Sequence, residues 1–446
     1  MTHNEKKKIM EDIDDLLFNP DQNPSEPIDQ PQLTPHYNIN KNTINPNANT
    51  KNNAVTISGF LPKQLASAYG FSSVVGNPTG SKQICAIIEA YTYPSLISDL
   101  TAFCTEFGLS TPVLVSSVTG LSSTPISNTF NIYIKSFGTV ANASWSLEQS
   151  LDCQWIHAMA PEASLLIVQA ASASDTDLTN AINYAKQNGA TVISMSFGGA
   201  ESSNETLTST VAFDDGLFTG VTGNENITFC ASAGDSPGVE YPASSPNVLG
   251  VGGSTLTLTS TGVYGSEVAW KTNSTEATGG GVSIYESEPS YQKNPAINQT
   301  IFDHNVTTTT TTGTGRNKKT TSTTKTTLDR GTPDVAFDAN PSTGVPVYNT
   351  YYAKNGTWYE VGGTSFSVLA WASIVLLANQ LRALKSLPPL SNSVLQTGLY
   401  KLPGTTSGAY TYSNCFNEIG GTNYTLLTGL GSPKVTNLIP YLISLP

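Results

Sequence analysis

The chain has 446 residues, enough for one large domain or two ordinary ones with a sizeable core. Apolar residues make up 38 % and charged residues only 12 %, so Ser, Thr, Asn and Gly must carry much of the surface. Lys+Arg 21 against Asp+Glu 33 leaves a net charge of −12, which argues against nucleic acid as a partner and would suit work at low pH.

Residues 1–55 read as a disordered polar arm, because 19–53 is rich in Asn, Pro and Gln with little to bury. Its early lysines have no apolar run behind them, so no secretory signal is expected and the compartment stays open. Strand-like runs follow at 84–91, 163–171, 191–198, 227–235 and 247–255. Helical spacing falls between them, from Trp145 to Met159 and over 174–189, where a Ser/Asp start and Gly189 mark the ends. Short β-rich runs alternating with helices predict an α/β fold with a mainly parallel sheet, and sites in such sheets gather beyond the strands' carboxyl ends. A Thr-rich insertion at about 303–329 reads as a low-complexity surface segment. The longest apolar run, Val368–Ala378, is short of the roughly 20 residues a membrane span needs, so no membrane partner is expected.

Cys85, Cys104, Cys153, Cys230 and Cys415 are odd in number and have no metal-site spacing; Cys85 and Cys230 sit in strand-like runs as ordinary buried thiols would. The chain has only four histidines. His3 and His36 fall in the polar arm, His304 lies beside the Thr-rich insertion, and His157 lies on the 145–159 helix without a partner suggested by spacing. All four are expected to be surface or partly buried side chains.

The carboxylates say more. Glu148 and Asp152 are four apart on a predicted helix and share a face, among Leu147, Leu151 and Ile156. No Lys or Arg occurs between Gln149 and Ala185 to neutralise them, so their repulsion should raise at least one pKa, as a general base for acid conditions requires. Asp235 follows a strand among small residues; it is either a turn-former or a carboxyl kept protonated to bind an oxyanion. Ser365, in "VGGTSFSVLAWASIVLLANQ", precedes an apolar helix whose N-terminus favours negative charge, so it reads as either a nucleophile or a helix N-cap.

These segments together resemble one family. "LEQSLDCQWIHAMAPEASLLIV" (147–168), "SMSFGG" (194–199), "ASAGDSPGVEYPASSPNVLGVGGSTL" (231–256), "RGTPDVAFDANPSTGVPVY" (330–348) and "GGTSFS" (362–367) resemble the sedolisin family of serine-carboxyl peptidases, the S53 peptidases. The resemblance covers 56–446 as a catalytic domain and implies a subtilisin-like fold. It implies Ser365 as nucleophile, Glu148 as general base, Asp152 holding Glu148 and Asp235 stabilising the oxyanion, with glutamate where a serine triad has histidine. Implied partners are peptides or unfolded proteins, cleaved in acid by a monomer, with endopeptidase and tripeptidyl-peptidase action both open.

Three departures stand out. The resemblance implies a long folded propeptide, and the 55-residue arm is too short and polar to be one. Leu369 stands where the family has proline. The family's calcium site would fall on Glu418 and Ile419, but the loop is cut short and Thr425 replaces an aspartate, so calcium binding is expected to be weak or absent. The alternatives are a catalytically impaired sedolisin-like module that binds peptides or proteins, and, third, a Ser-His-Asp enzyme.

Overall fold

In a computed structural model, which describes residues 32–40, 57–117, 129–207, 212–312, 318–352, 357–421 and 423–446, the alternating runs form one nine-stranded sheet with helices on both faces. The chain divides into Met1–Gln32 and Leu33–Pro446, and all that follows concerns the second unit. Two short strands come first, β1 (Thr34–Pro35) and β2 (Asn38–Ile39). The expectation of a disordered arm up to residue 55 therefore fails for Leu33–Asn40; residues 1–31, with His3, and 41–56 lie outside the described residues. The later elements are helix α1 (Pro62–Tyr69), β3 (Ile84–Ala90), α2 (Leu96–Phe107), β4 (Thr111–Leu114), β5 (Thr129–Ser136) and α3 (Ala143–Met159). Then come β6 (Ser164–Ala170), α4 (Asp175–Gln187), β7 (Val192–Met195), β8 (Phe197–Ala200), β9 (Thr228–Ser232), β10 (Glu240–Tyr241), β11 (Leu249–Leu258) and β12 (Tyr264–Ala269).

The sheet order is β12-β11-β9-β7-β3-β6-β5-β4, every pairing parallel except β11 with β12. Central strands are buried on both faces, which is why β3 and β6 read as almost unbroken apolar runs. The period of two sorts them: Cys85, Ile87, Leu165 and Ile167 join the core containing Leu147 and Leu151 of α3. Ala86, Ile88, Leu166 and Val168 join the core containing Leu178 and Ile182 of α4 on the opposite face. The same alternation puts Glu89, next to last in β3, on the face that α3 covers.

After β13 (Gly281–Ser287), the Thr-rich segment is not featureless. It forms an antiparallel hairpin of β14 (Asp303–Thr312) and β15 (Lys319–Thr332), in register from Asp303↔Leu328 to Thr312↔Lys319. Threonine is β-branched and fits a pleated, solvated surface, so a composition that cannot build a core still builds a ribbon. Its base is locked by a buried ion pair. Arg330 donates from both terminal nitrogens to Asp334 at 2.9 and 2.8 Å and from Nε to the Ser244 carbonyl at 3.0 Å. Asp334 also accepts from Gly250 N–H at 2.9 Å and from the Tyr400 hydroxyl at 2.8 Å. From there β16 (Val335–Asp338) adds to the sheet beside β11, and β17 (Val345–Asn349) and β18 (Thr357–Gly362) form a hairpin leading to the last major helix, α5 (Thr364–Leu384).

By length and composition α5 could cross a membrane, with a mean hydropathy of 1.4 over its apolar window, yet it is a core helix and almost wholly buried. Leu369 is fully buried in it, where leucine continues the helix without the lost N–H a proline would bring.

Replacing Arg330 with Gln leaves the Asp334 charge stranded, so urea unfolding should show a loss of about 3–5 kcal/mol. Adding Asp334→Asn should recover part of that loss, because no buried charge then remains unpaired.

Candidate active site

The start of α5 shows why two glycines precede Thr364. The helix cap is Gly363, at φ +107°, and no side chain caps it. A Cβ there would sit 2.3 Å from the His36 carbonyl oxygen and 2.5 Å from Asp235 Oδ2, so only glycine allows both groups to approach. The N-cap reading of Ser365 is thereby corrected: Ser365 is the second residue inside the helix. Two N–H groups that a helix start leaves without intrahelical partners are taken from outside. Thr364 N–H donates to Asp235 Oδ1 at 2.7 Å, and Ser365 N–H donates to the His36 carbonyl at 3.0 Å.

α3 presents Glu148 and Asp152 from one face toward this point, and both are fully buried. The Asn142 side chain caps that helix by accepting from Trp145 N–H at 3.1 Å, which fixes where it begins. Asp152 Oδ2 accepts from the Ser196 hydroxyl at 2.8 Å, just past the end of β7. Glu89 from β3 completes a cluster of three buried carboxyls. Sequence reading missed it, although an acid inside the apolar run "ICAIIEAY" was the available signal.

Burial is the largest cause of the pKa shift in each. It pushes Glu148 well above the usual carboxylate range, with Asp152 adding repulsion and Ser365 opposing it. Glu89 is raised the same way, by burial and then by Asp152 and Glu148. Asp152 is pushed up to about 7 by burial, held back by the Ser196 hydroxyl and by hydrogen bonding within the cluster. In this arrangement neither Glu148 oxygen is aligned for a hydrogen bond with the described residues. The Ser365 hydroxyl, though near enough to favour the Glu148 anion, donates instead to the Ser196 carbonyl at 3.2 Å.

Asp235 lies three residues beyond β9 and is raised to about 6, by burial and against the pull of His36 and Thr364. Its Oδ1 accepts from the Thr364 N–H and hydroxyl, and its Oδ2 contacts the Asn38 amide at 2.7 Å. Ser365, Asp235 and the pair Glu148 and Asp152, picked out from three distant parts of the sequence, thus meet at one place.

Two histidines, His36 and His157, are more deeply buried than expected, while His304 is partly buried as expected. His157 is buried and stacked on Phe130 at 3.6 Å between ring centroids, with burial lowering its pKa to about 3, so it stays neutral. His304 pairs with Asp329 at 2.8 Å on the Thr-rich hairpin. His36 is buried beside the site, with Nδ1 2.7 Å from the Ser232 hydroxyl. Its Nε2 makes a 2.8 Å charge contact with Glu240 that is not aligned as a hydrogen bond. All five cysteines are buried free thiols.

Glu418 is exposed, and the Ile419 carbonyl accepts from the Thr428 hydroxyl at 3.4 Å. Thr425 meets Thr428 at 2.8 Å, so hydroxyls satisfy one another where a cation would need charge. Among the described residues no group of three or more His, Cys, Asp or Glu could hold a metal ion.

A subtilase family model matches residues 137–395, more than half of the chain. Sedolisin of Pseudomonas sp. (strain 101) is 27 % identical over 423 residues, covering 88 % of this chain and 62 % of sedolisin. Xanthomonalisin of Xanthomonas sp. (strain T-22) is 27 % identical, covering 89 % and 48 %, and kumamolisin of Bacillus sp. (strain MN-32) is 28 % identical, covering 93 % and 69 %. The chain therefore spans 62 % and 48 % of the first two relatives. The solved structure of Pseudomonas sedolisin, a serine-carboxyl proteinase complexed with two molecules of pseudo-iodotyrostatin, aligns at TM-score 0.61 and 26 % identity, covering 87 % of this chain and 99 % of that one. With a family model matching more than half of the chain, and relatives aligned along nearly the whole of it, the protein belongs to the subtilase family, in its sedolisin branch.

Proposed function

We propose that this protein is a serine peptidase in which Ser365 attacks the substrate carbonyl, Glu148 takes the serine proton, Asp152 holds Glu148, and Asp235 stabilises the oxyanion. The observation that carries this reading is the meeting of these four side chains at the N-terminus of α5, with no histidine in the position of a base among the described residues. A Ser-His-Asp arrangement has no support, since His157 is turned to the Ser110 carbonyl at 2.9 Å. The similarity to sedolisin, xanthomonalisin and kumamolisin supports peptides or unfolded proteins as substrates.

The chemistry follows from charge. Attack creates an oxyanion, and the Ser365 N–H at a helix start is a fixed donor for it. Asp235 holds a proton below its pKa of about 6 and can then donate as well. A carboxyl base works only once its own proton has left, and a carboxyl donor only while its proton stays. Those opposed demands confine activity to a window in the acid range. We further infer that calcium plays no structural part, because the loop of Glu418 and Ile419 is closed by its own hydroxyls.

Ser365→Ala should remove cleavage of an unstructured peptide by at least about 10³-fold in kcat. After burial, Asp152 is the main cause raising Glu148. In Asp152→Asn the acid limb of kcat/KM should therefore move to lower pH, while the plateau falls because Glu148 loses its support. Chelation with EDTA should leave the melting temperature unchanged, whereas removal of a structural calcium would lower it.

Stability should respond to pH in a direction set by the raised carboxyls. A group whose folded pKa lies above its unfolded value stabilises fully below the unfolded value, and that stability is lost as pH rises through the folded one. Asp235 at about 6, Asp152 at about 7, and Glu205 and Glu286 at about 8 place the loss between roughly pH 4 and pH 8. Calorimetry should show a higher melting temperature near pH 4.5 than at pH 8, by at least about 5 °C.

A further inference from the structure

We infer that Ser144 and Tyr352 form a subsite for a phenol, so that the site prefers peptides with a tyrosine directly after the cleaved bond. The inference rests on the peptidase reading above and adds the side chain taken on the leaving side.

The subsite begins on α3. Ser144, Glu148 and Asp152 recur every four residues, so all three lie along one helix face. Asp152 stands one turn beyond the proposed base, and Ser144 stands one turn before it. That places a half-buried hydroxyl beside the group that would hand a proton to the departing amine. The other wall is the loop between β17 and β18. Tyr352 is half-buried there and is backed by Tyr359 of β18, with ring centroids 5.5 Å apart at 86°.

How a peptide would meet this pair can be read from Leu33–Asn40, whose backbone runs extended between the walls of the cleft. Thr34 and Pro35 pair antiparallel with Gly198 and Phe197, and Asn38 and Ile39 pair antiparallel with Gly362 and Val361. Strand addition of this kind is how extended peptides are held. Between the two ladders the His36 carbonyl accepts from Ser365 N–H at 3.0 Å, the donor proposed for the oxyanion. The next residue, Tyr37, therefore stands where the leaving-side residue of a substrate would stand. Gly363 lets it come close, since a Cβ there would lie 2.7 Å from Tyr37 Cα.

The side chain at that position shows what the subsite accepts. The Tyr37 ring meets the Tyr352 ring edge to face, 6.5 Å between centroids at 81°. Desolvation does most to keep the Tyr37 phenol neutral, followed by Tyr352; Ser144 pulls the other way, as a hydrogen-bond donor does, and Glu148 adds repulsion. A neutral phenol both donates and accepts, so it can answer two hydroxyls at once. Phenylalanine would keep the ring contact and lose the hydroxyl, and leucine would lose both.

The test digests an equimolar mixture of peptides that differ at one position, Tyr, Phe or Leu, at about pH 4, with each cut located by product mass. Cutting before Tyr should exceed cutting before Leu at least about ten-fold in kcat/KM, with Phe between them. Ser144→Ala should bring Tyr to within about two-fold of Phe while Phe stays ahead of Leu. Tyr352→Leu should bring Phe to within about two-fold of Leu. The readout is a ratio of substrates within one variant, which a general loss of activity or stability does not move. No preference for Tyr in the wild type, or wild-type ratios in either variant, would overturn the inference and leave the peptidase reading intact. If the wild type cuts none of the peptides, both are overturned.

Discussion

The constraint on which the site depends is the burial of three carboxyls without a cation among them. Glu89, Glu148 and Asp152 are each 0 % exposed on the face of the sheet shared by α3 and α5. Three charges could not persist there, because removing even one from water costs several kcal/mol. The cluster therefore keeps protons, and its members differ in how readily they give them up. Asp152 is favoured as the first to ionise, since the Ser196 hydroxyl and its two acidic neighbours all support its anion. The proposed mechanism needs this arrangement: a base beside the serine and an anion behind it.

The same constraint explains the helices that hold the cluster. α3 is buried from Trp145 to His157, and α5 is buried over most of its length. Two helices buried all round leave little freedom to tilt, and Trp155 against Phe366, at 5.2 Å between ring centroids, fixes one against the other. The Arg330–Asp334 pair does similar work beside β11. It anchors the segment that becomes β16, from which the chain passes through β17 and β18 to Ser365. Precision at the serine is thus set by packing at a distance from it.

Much of this was legible in the sequence, and the physical reasons are plain. Strand and helix periods are local, so β3, β6, α3 and α4 could be placed within a few residues. Glu148 and Asp152 could be paired because a helix face is a local property too. Glu89 was lost because one acid in an apolar strand signals nothing until its neighbours on the sheet are known. His36 and Glu240 were lost for a related reason: 204 positions apart, one in a polar arm, they acquire meaning only through pairing of β1 with β8 and of β10 with β8. The polar arm was misjudged because composition reports what a segment can bury by itself. Leu33–Asn40 needs no core of its own when two sheet edges accept its backbone.

That last point bears on how the site can be held at rest. Tyr37 is half-buried, and its environment includes Ser144, Glu148 and Tyr352, so the segment supplies part of the wall beside Glu148. With that wall present, burial is the largest cause holding the Glu148 proton on, and the Ser365 hydroxyl faces the Ser196 carbonyl instead of Glu148. Both features would oppose the proposed proton transfer from Ser365 to Glu148 while the segment lies in the cleft. Removing the segment would hydrate Glu148 and lower its pKa, and it would free the Ser365 N–H for an incoming carbonyl. Under the proposed mechanism, occupancy of the cleft and readiness of Glu148 are therefore coupled through one segment of eight residues, Leu33–Asn40.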